Sequence, residues 1–351
     1  MNIIDALPDE AKLKKLPDPG ETRELELPEH DGWRRAVHEL DRRQALAIHT
    51  ALSTRRPLLI RGEPGTGKTQ LARAAAKGLL WHFAHRTMDA RTEVSELFWK
   101  LDAVGRLAEA QIMGPTNGDR SKLDLLNFVE PGLFWWGFNW AEATGQQATA
   151  MKKTEEEVAK SKPPAPWLEL LTETQRKKAG SVILVDEIDK ADPFLPDALL
   201  EVLGTGRFDG PAGKFTLKPT RDILVVITTN RQRALSAAFM RRCVVLDLVL
   251  DPKQLVETFV RRGELHMNEV WKKEQANGEA LSKELFIRAA ERIQEQRARL
   301  EGGAVPLPGQ DEFLALAQAL YRLRTTNAER ETLLEEVLPF VLDKHAEGAS
   351  L

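Results

Sequence analysis

Arg61-Gly62-Glu63-Pro64-Gly65-Thr66-Gly67-Lys68-Thr69 is the stretch whose reading decides the fold. It fits G-x-x-x-x-G-K-[ST], the pattern of a phosphate-binding loop. Before it, Pro57-Leu58-Leu59-Ile60 reads as a short buried strand. After it, Gln70 to Lys77 reads as a helix that starts at the loop. A strand, a glycine loop and a helix N-terminus in that order make an anion site, because backbone N–H groups converge there. Gly62, Gly65 and Gly67 allow close backbone approach. Within the loop, Glu63, Pro64 and Thr66 complete the cradle, and Gln70 opens the helix behind it. Lys68 is expected to reach the β- and γ-phosphates of ATP, and the Thr69 hydroxyl to ligand Mg²⁺.

Working outward, Val182-Ile183-Leu184-Val185-Asp186-Glu187 is four apolar residues ending in two carboxylates. In a chain that already carries the loop, this reads as a Walker B strand. Asp186 would hold Mg²⁺, directly or through water. Glu187 would polarise a water as general base. Ile223 to Thr229 is a further buried strand, and Asn230 follows it. Ligands sit outside the carboxyl ends of such strands, so Asn230 can orient the attacking water. Arg241-Arg242 precede another apolar run, Val244 to Leu250. A fixed guanidinium there could neutralise transition-state charge in a neighbouring subunit.

The remainder bounds the class. The chain has 351 residues, enough for two or three domains, with 29% charged and 42% hydrophobic residues. A net charge of −3 gives no global basic footprint for nucleic acid. Cys243 is the single cysteine, which excludes an intrachain disulfide and suits a reducing, cytoplasmic setting. No apolar run has the length of a membrane span and no leader is recognisable, so no membrane partner is expected. The histidines are scattered; His82 and His85 are the nearest approach to a metal spacing, and no zinc is expected.

Residues 1–30, with Pro8, Pro17, Pro19 and Pro28, read as an extended arm. Trp33 to Leu52 shows helical spacing. Residues 31–250 form the expected α/β nucleotide-binding domain. Within it, 145–180 reads as a solvated insertion, because of its charge run and Pro163, Pro164 and Pro166. Asp197 to Leu203 reads as a helix stopped by Gly204, and Phe208 to Thr220 as a hairpin. Residues 251–351 read as a helical domain.

The order of these parts resembles the AAA+ ATPases. Asp186-Glu187-Ile188-Asp189-Lys190-Ala191-Asp192-Pro193, and Thr228-Thr229-Asn230 followed by Phe239-Met240-Arg241-Arg242, look most like the MoxR-like branch. The resemblance spans about residues 33–320. It implies a P-loop AAA+ core, a parallel sheet flanked by helices, with a C-terminal all-α lid. It makes Asn230 the sensor 1 residue and Arg242 the arginine finger acting in trans, with Arg241 as the alternate. It implies a ring, usually a hexamer, with Mg·ATP hydrolysed at subunit interfaces. The work would be done on a protein client, with a von Willebrand A domain protein as a possible partner. Alternatives are a motor that threads nucleic acid, in defence or elsewhere, and a slow-turnover scaffold gated by ATP. In one respect the chain departs from the family. Pro306 to Leu314, where a sensor 2 arginine is often found, has none. Either Arg322 or Arg324 serves, or that residue is absent. The loop after the second strand faces the pore in such rings, which singles out Phe98, Trp99 and Lys100; Lys214 and Lys218 belong to the hairpin. Burial of a short helix is the competing reading for Phe98. Trp135, Trp136 and Trp140 read as core.

Overall fold

The computed structural model describes residues 7–9, 11–113, 120–213, 215–274, 277–300, 302 and 307–342. Eleven strands are found among them. A two-stranded antiparallel sheet is made by β1 (Thr22–Leu27) and β2 (Ala36–Asp41). The central sheet uses β3 (Leu58–Gly62) and β4 (His82–Thr87). Two short strands, β5 (Trp99–Leu101) and β6 (Val129–Pro131), pair apart from it. Then come β7 (Ser181–Asp186), the small hairpin β8 (Phe208–Asp209) and β9 (Thr216–Leu217), β10 (Ile223–Thr229) and β11 (Val244–Leu248). The central order is β11-β3-β10-β7-β4, and every pairing is parallel.

Alternation along the buried strands divides the core in two. Leu58, Ile60, Val182, Leu184, Leu224 and Val226 face one side, packed under the helices Arg42–Thr54 and Lys68–Leu79. Leu59, Ile183, Val185, Val225 and Ile227 face the other, under Leu133–Phe138 and Leu195–Thr205. Strands that are apolar on both faces need helices on both, which explains their uninterrupted sequence. From Leu255 onward the chain is helical and builds a third core around Phe259, Phe286 and Phe313. The architecture is a P-loop α/β core with a C-terminal helical lid.

Several expectations change. Trp33 to Leu52 is not one helix: Ala36–Asp41 is strand, and the helix begins at Arg42 behind the capping box of Asp41 and Gln44. The arm is not wholly extended away from the molecule. Leu25 and Leu27 of β1 are buried, with Leu7 and Leu13, against the first core. Arg73 of the loop helix, itself 1% exposed, donates to Pro28 O at 3.0 Å and Arg34 O at 3.3 Å, tying this region down. The segment 145–180 takes in the second half of the helix Trp140–Met151 and the helices Glu155–Ser161 and Glu173–Lys178. It is not simply solvated: Trp167 and Leu168 enter the first core, and Trp167 Nε1 donates to Trp81 O at 2.7 Å. The helix before the hairpin runs Leu195–Thr205 and ends on Gly206, in the left-handed region at φ 63°, two residues past the expected stop. Phe98 packs between Phe134 and Phe208, at 5.4 and 4.9 Å, as the burial reading required. Trp135 and Trp136 are buried core. Lys218 is exposed on the hairpin, while Lys214 lies outside the described residues.

Burial also sets an acid limit. His38, His82 and His266 are desolvated, which holds each imidazole down to about 4 from an ordinary value of 6.5. The unfolded chain takes up these protons below about 6.5 while the fold resists them. The stabilisation is therefore complete above 6.5 and is lost progressively as pH falls towards 4. Melting temperature should decline steadily below about pH 6.5; a flat profile down to about pH 4.5 would contradict this placement of the three rings.

Candidate nucleotide site

The loop lies at the carboxyl end of β3, between the sheet and the lid. Gly65 and Gly67 have φ of 71° and 87°, a region that favours glycine. Gly62 is needed for another reason: a Cβ there would stand 2.5 Å from Leu248 O on the neighbouring strand. Gly67 caps the helix Lys68–Leu79 with no side-chain hydrogen bond, so the N–H groups of its first turn keep no competing cap. Lys68 is buried, and its Nζ donates to Gly62 O at 3.0 Å and Glu63 O at 2.7 Å. Desolvation pushes its ammonium below the usual lysine range, against the pull of Asp186, Asp189 and Glu187. Thr66 Oγ1 donates to Glu63 O at 2.9 Å and stiffens the turn.

Strand pairing delivers the carboxylates. β7 lies beside β10, and β10 beside β3, so Asp186 comes up next to the loop helix. Thr69 Oγ1 donates to Asp186 Oδ1 and Oδ2 at 3.0 and 3.1 Å. Thr228 Oγ1, from β10, donates to Asp186 Oδ1 at 2.5 Å. Burial raises the Asp186 carboxyl above its ordinary range, and the two threonine hydroxyls offset part of that. A hydroxyl and a carboxylate held side by side are hard oxygen donors of the kind Mg²⁺ takes. With the glycine cradle and the free helix end, these residues fit Mg·ATP.

Glu187 follows in the left-handed region, at φ 55° and ψ 48°, unusual for a non-glycine residue and a mark of a constrained site. Its N–H donates to Thr228 Oγ1 at 2.8 Å. Its side chain accepts from Asn230 Nδ2 at 3.1 Å and from Lys190 Nζ at 2.7 Å. Asn230 therefore sits beside Glu187, at the end of the adjacent strand. Asp189, 4% exposed, holds the turn after β10: its carboxylate accepts from the N–H of Asn230, at 3.2 and 3.3 Å, and of Gln232, at 3.1 Å. The sequence reading gave Asp189 no role. Its signal was an acid two residues past Glu187, too local to reveal a partner 41 residues away.

The arginines separate into two groups. Arg241 and Arg242 end the helix Ala237–Arg242, are exposed, and make no ion pair among the described residues. Val244 stands opposite Leu58, whereas Gly62 stands opposite Leu248. The pair is thus at the amino end of the sheet, at least four strand residues, or roughly 13 Å, from the end that carries the loop. The lid provides the other group. Arg322 pairs with Glu274 at 2.8 Å and Arg324 donates to Leu323 O at 2.9 Å, both at the far end of the helix Gln310–Leu323. The near end of that helix abuts the loop: a Cβ on Gly309 would lie 3.0 Å from Pro64 O. Neither arginine is at the loop. Arg297 is: it donates to Pro308 O at 2.8 Å and pairs with Glu63 Oε2 at 2.8 Å, with 12% of its side chain exposed. Pro306 lies outside the described residues, and Gln310 heads the helix, accepting from Arg262 Nη1. Sequence reasoning missed Arg297, which meets its partner across 234 positions.

Residues 169–290 match the family model described as AAA domain (Cdc48 subfamily). That segment contains Asp186, Glu187, Asn230 and both arginines, and starts after the glycine loop. A solved structure of a candidate ATPase from Cytophaga hutchinsonii is similar over 88% of this chain and 84% of its own. The identity is 18% and the TM-score 0.37, too distant to carry an argument. The family match, with the sheet and the lid, supports an AAA+ ATPase and hence nucleotide binding. No helix among the described residues is long and apolar enough to cross a membrane.

Proposed function

We propose that this chain is a Mg·ATP hydrolase of the MoxR-like AAA+ type that acts as a homo-oligomeric ring, a hexamer in the simplest case, in the cytoplasm. Its task is to remodel or activate a protein client, and a von Willebrand A domain protein is the partner class the resemblance suggests. One observation carries the reading. Thr69, Asp186, Glu187 and Asn230 gather at the loop, while Arg241 and Arg242, without an ion pair among the described residues, stand at the opposite end of the sheet. A site built that way lacks a cation that a second copy can supply.

The residues divide the work. Loop N–H groups and Lys68 bind and orient the phosphates. Thr69 and Asp186 hold the metal, which when bound neutralises charge on the phosphate oxygens. Glu187 accepts a proton from water at its carboxylate, and Asn230 keeps that carboxylate aimed. Arg242 of the neighbour, or Arg241, stabilises the transition state. If the finger acts in trans, ATPase activity per subunit should fall on dilution through the assembly range, and Arg242→Ala should abolish it at every concentration. Activity per subunit that stays constant while the assembly dissociates to monomers would overturn the reading.

A further inference from the structure

A cavity of about 490 Å³ lies away from the nucleotide loop. It opens at the amino end of the central sheet, where Pro57 leads into β3 and Ile223 begins β10. Leu52, Phe138 and Val202 supply apolar wall, and Arg55, Arg56 and Arg221 supply charge against a single carboxylate, Asp222. Arg55 and Arg56 are exposed, and their guanidinium groups make no hydrogen bond or ion pair among the described residues. A concave apolar floor with a cationic rim fits an aromatic or aliphatic group flanked by acids.

Such a group is present on this same chain. Phe194 is 78% exposed, beside the exposed Pro193. Asp192, Asp197 and Glu201 are exposed around it. The turn that presents the ring is fixed, since Asp192 Oδ1 accepts from Phe194 N–H at 2.9 Å. Phe194 precedes the helix Leu195–Thr205, whereas Val202, Gly204 and Thr205 of that helix line the cavity. Ring and cavity are therefore at opposite ends of an 11-residue helix, about 16 Å apart. They cannot meet within one chain.

We infer that Phe194 of one copy seats in the arginine-rimmed cavity of a second copy, forming a head-to-tail contact between chains. This rests on the ring proposed above and names the contact that would close it. A contact between two different surfaces repeats around a ring when its rotation closes. The faces agree with the proposed chemistry. Val244 N–H donates to Pro57 O at 2.8 Å, so the cavity lies beside the Arg241-Arg242 end. Phe194 follows Glu187 by seven residues. One docking event thus brings an arginine pair towards a neighbour's Glu187.

The test uses the full chain with Mg²⁺ and a non-hydrolysable ATP analogue, followed by sedimentation velocity. Phe194→Asp removes the ring and adds repulsion. Gly204→Trp obstructs the cavity at a position where a Cβ meets nothing within 4 Å, so the fold is kept. Each variant should bind the analogue as wild type does and should assemble at least about tenfold more weakly, the loss expected when an interface anchor is removed. An equimolar mixture should give dimers and nothing larger, because one variant keeps the cavity and the other keeps the ring. Wild-type assembly by Phe194→Asp would overturn the contact and leave the ring intact. A wild-type protein that stays monomeric throughout would overturn both.

Discussion

Glu187→Gln is expected to bind ATP about as tightly as wild type and to hydrolyse it roughly 10²–10⁴-fold more slowly, the usual contribution of a positioned general base. The amide fills the same space and can still accept from Asn230 Nδ2, which stands 3.1 Å from Glu187 Oε1. It cannot take a proton from water. The turn should survive, because its positive φ is supported by the backbone bond to Thr228 Oγ1 at 2.8 Å, which the substitution leaves alone. Losing the Lys190 pair matters little, since that lysine side chain is 45% exposed and such pairs contribute about 1 kcal/mol or less. Calorimetric binding and steady-state turnover, measured on the same preparation, check the prediction. Wild-type turnover by the glutamine variant would remove Glu187 from the base role.

Lys68→Ala should fail earlier, at binding. The ammonium is buried at the root of the loop, held by two backbone carbonyls and facing where phosphate oxygens would lie. Truncating one member of a desolvated charge pair costs about 2–5 kcal/mol, so ATP affinity should drop by roughly 30-fold to several thousand-fold. Folding should be nearly unaffected, because burial already disfavours this charge and its removal trades desolvation cost against two lost hydrogen bonds. Melting without nucleotide, followed by an ATP titration of the melting temperature, separates the effects. The variant should melt near wild type and show almost no shift with ATP. A wild-type shift would show that the loop does not grip phosphate through Lys68.

Legibility in the sequence followed the range of the interactions. The loop, its strand and its helix were readable because all their determinants lie within about twenty residues: an apolar run, glycines where φ turns positive, and a helix former behind. Strands β7 and β10 were readable because burial on both faces leaves uninterrupted apolar runs, Val182 to Val185 and Ile223 to Ile227, within them. β2 was misread as helix. Val37 and Leu40 stand three apart, a helical spacing, and the pairing with β1 that makes Ala36–Asp41 a strand is a tertiary fact. Charge and prolines in 145–180 hid Trp167, whose burial depends on Trp81, 86 residues away. At the site, motif residues were named from local pattern. The Asp189 cap and the Arg297–Glu63 pair depend on contacts across 41 and 234 positions, which no spacing announces.

The central claim is that each nucleotide site is completed by a second chain. Mixing two inactive variants tests it most directly. Arg242→Ala keeps its own loop and Glu187 but offers no finger; Glu187→Gln binds ATP and keeps its finger but has no base. Equimolar mixing with ATP should restore ATPase activity, since an Arg242→Ala site beside a Glu187→Gln neighbour has every part. Activity that remains at the level of the separate variants, in mixtures shown to co-assemble, would contradict the account.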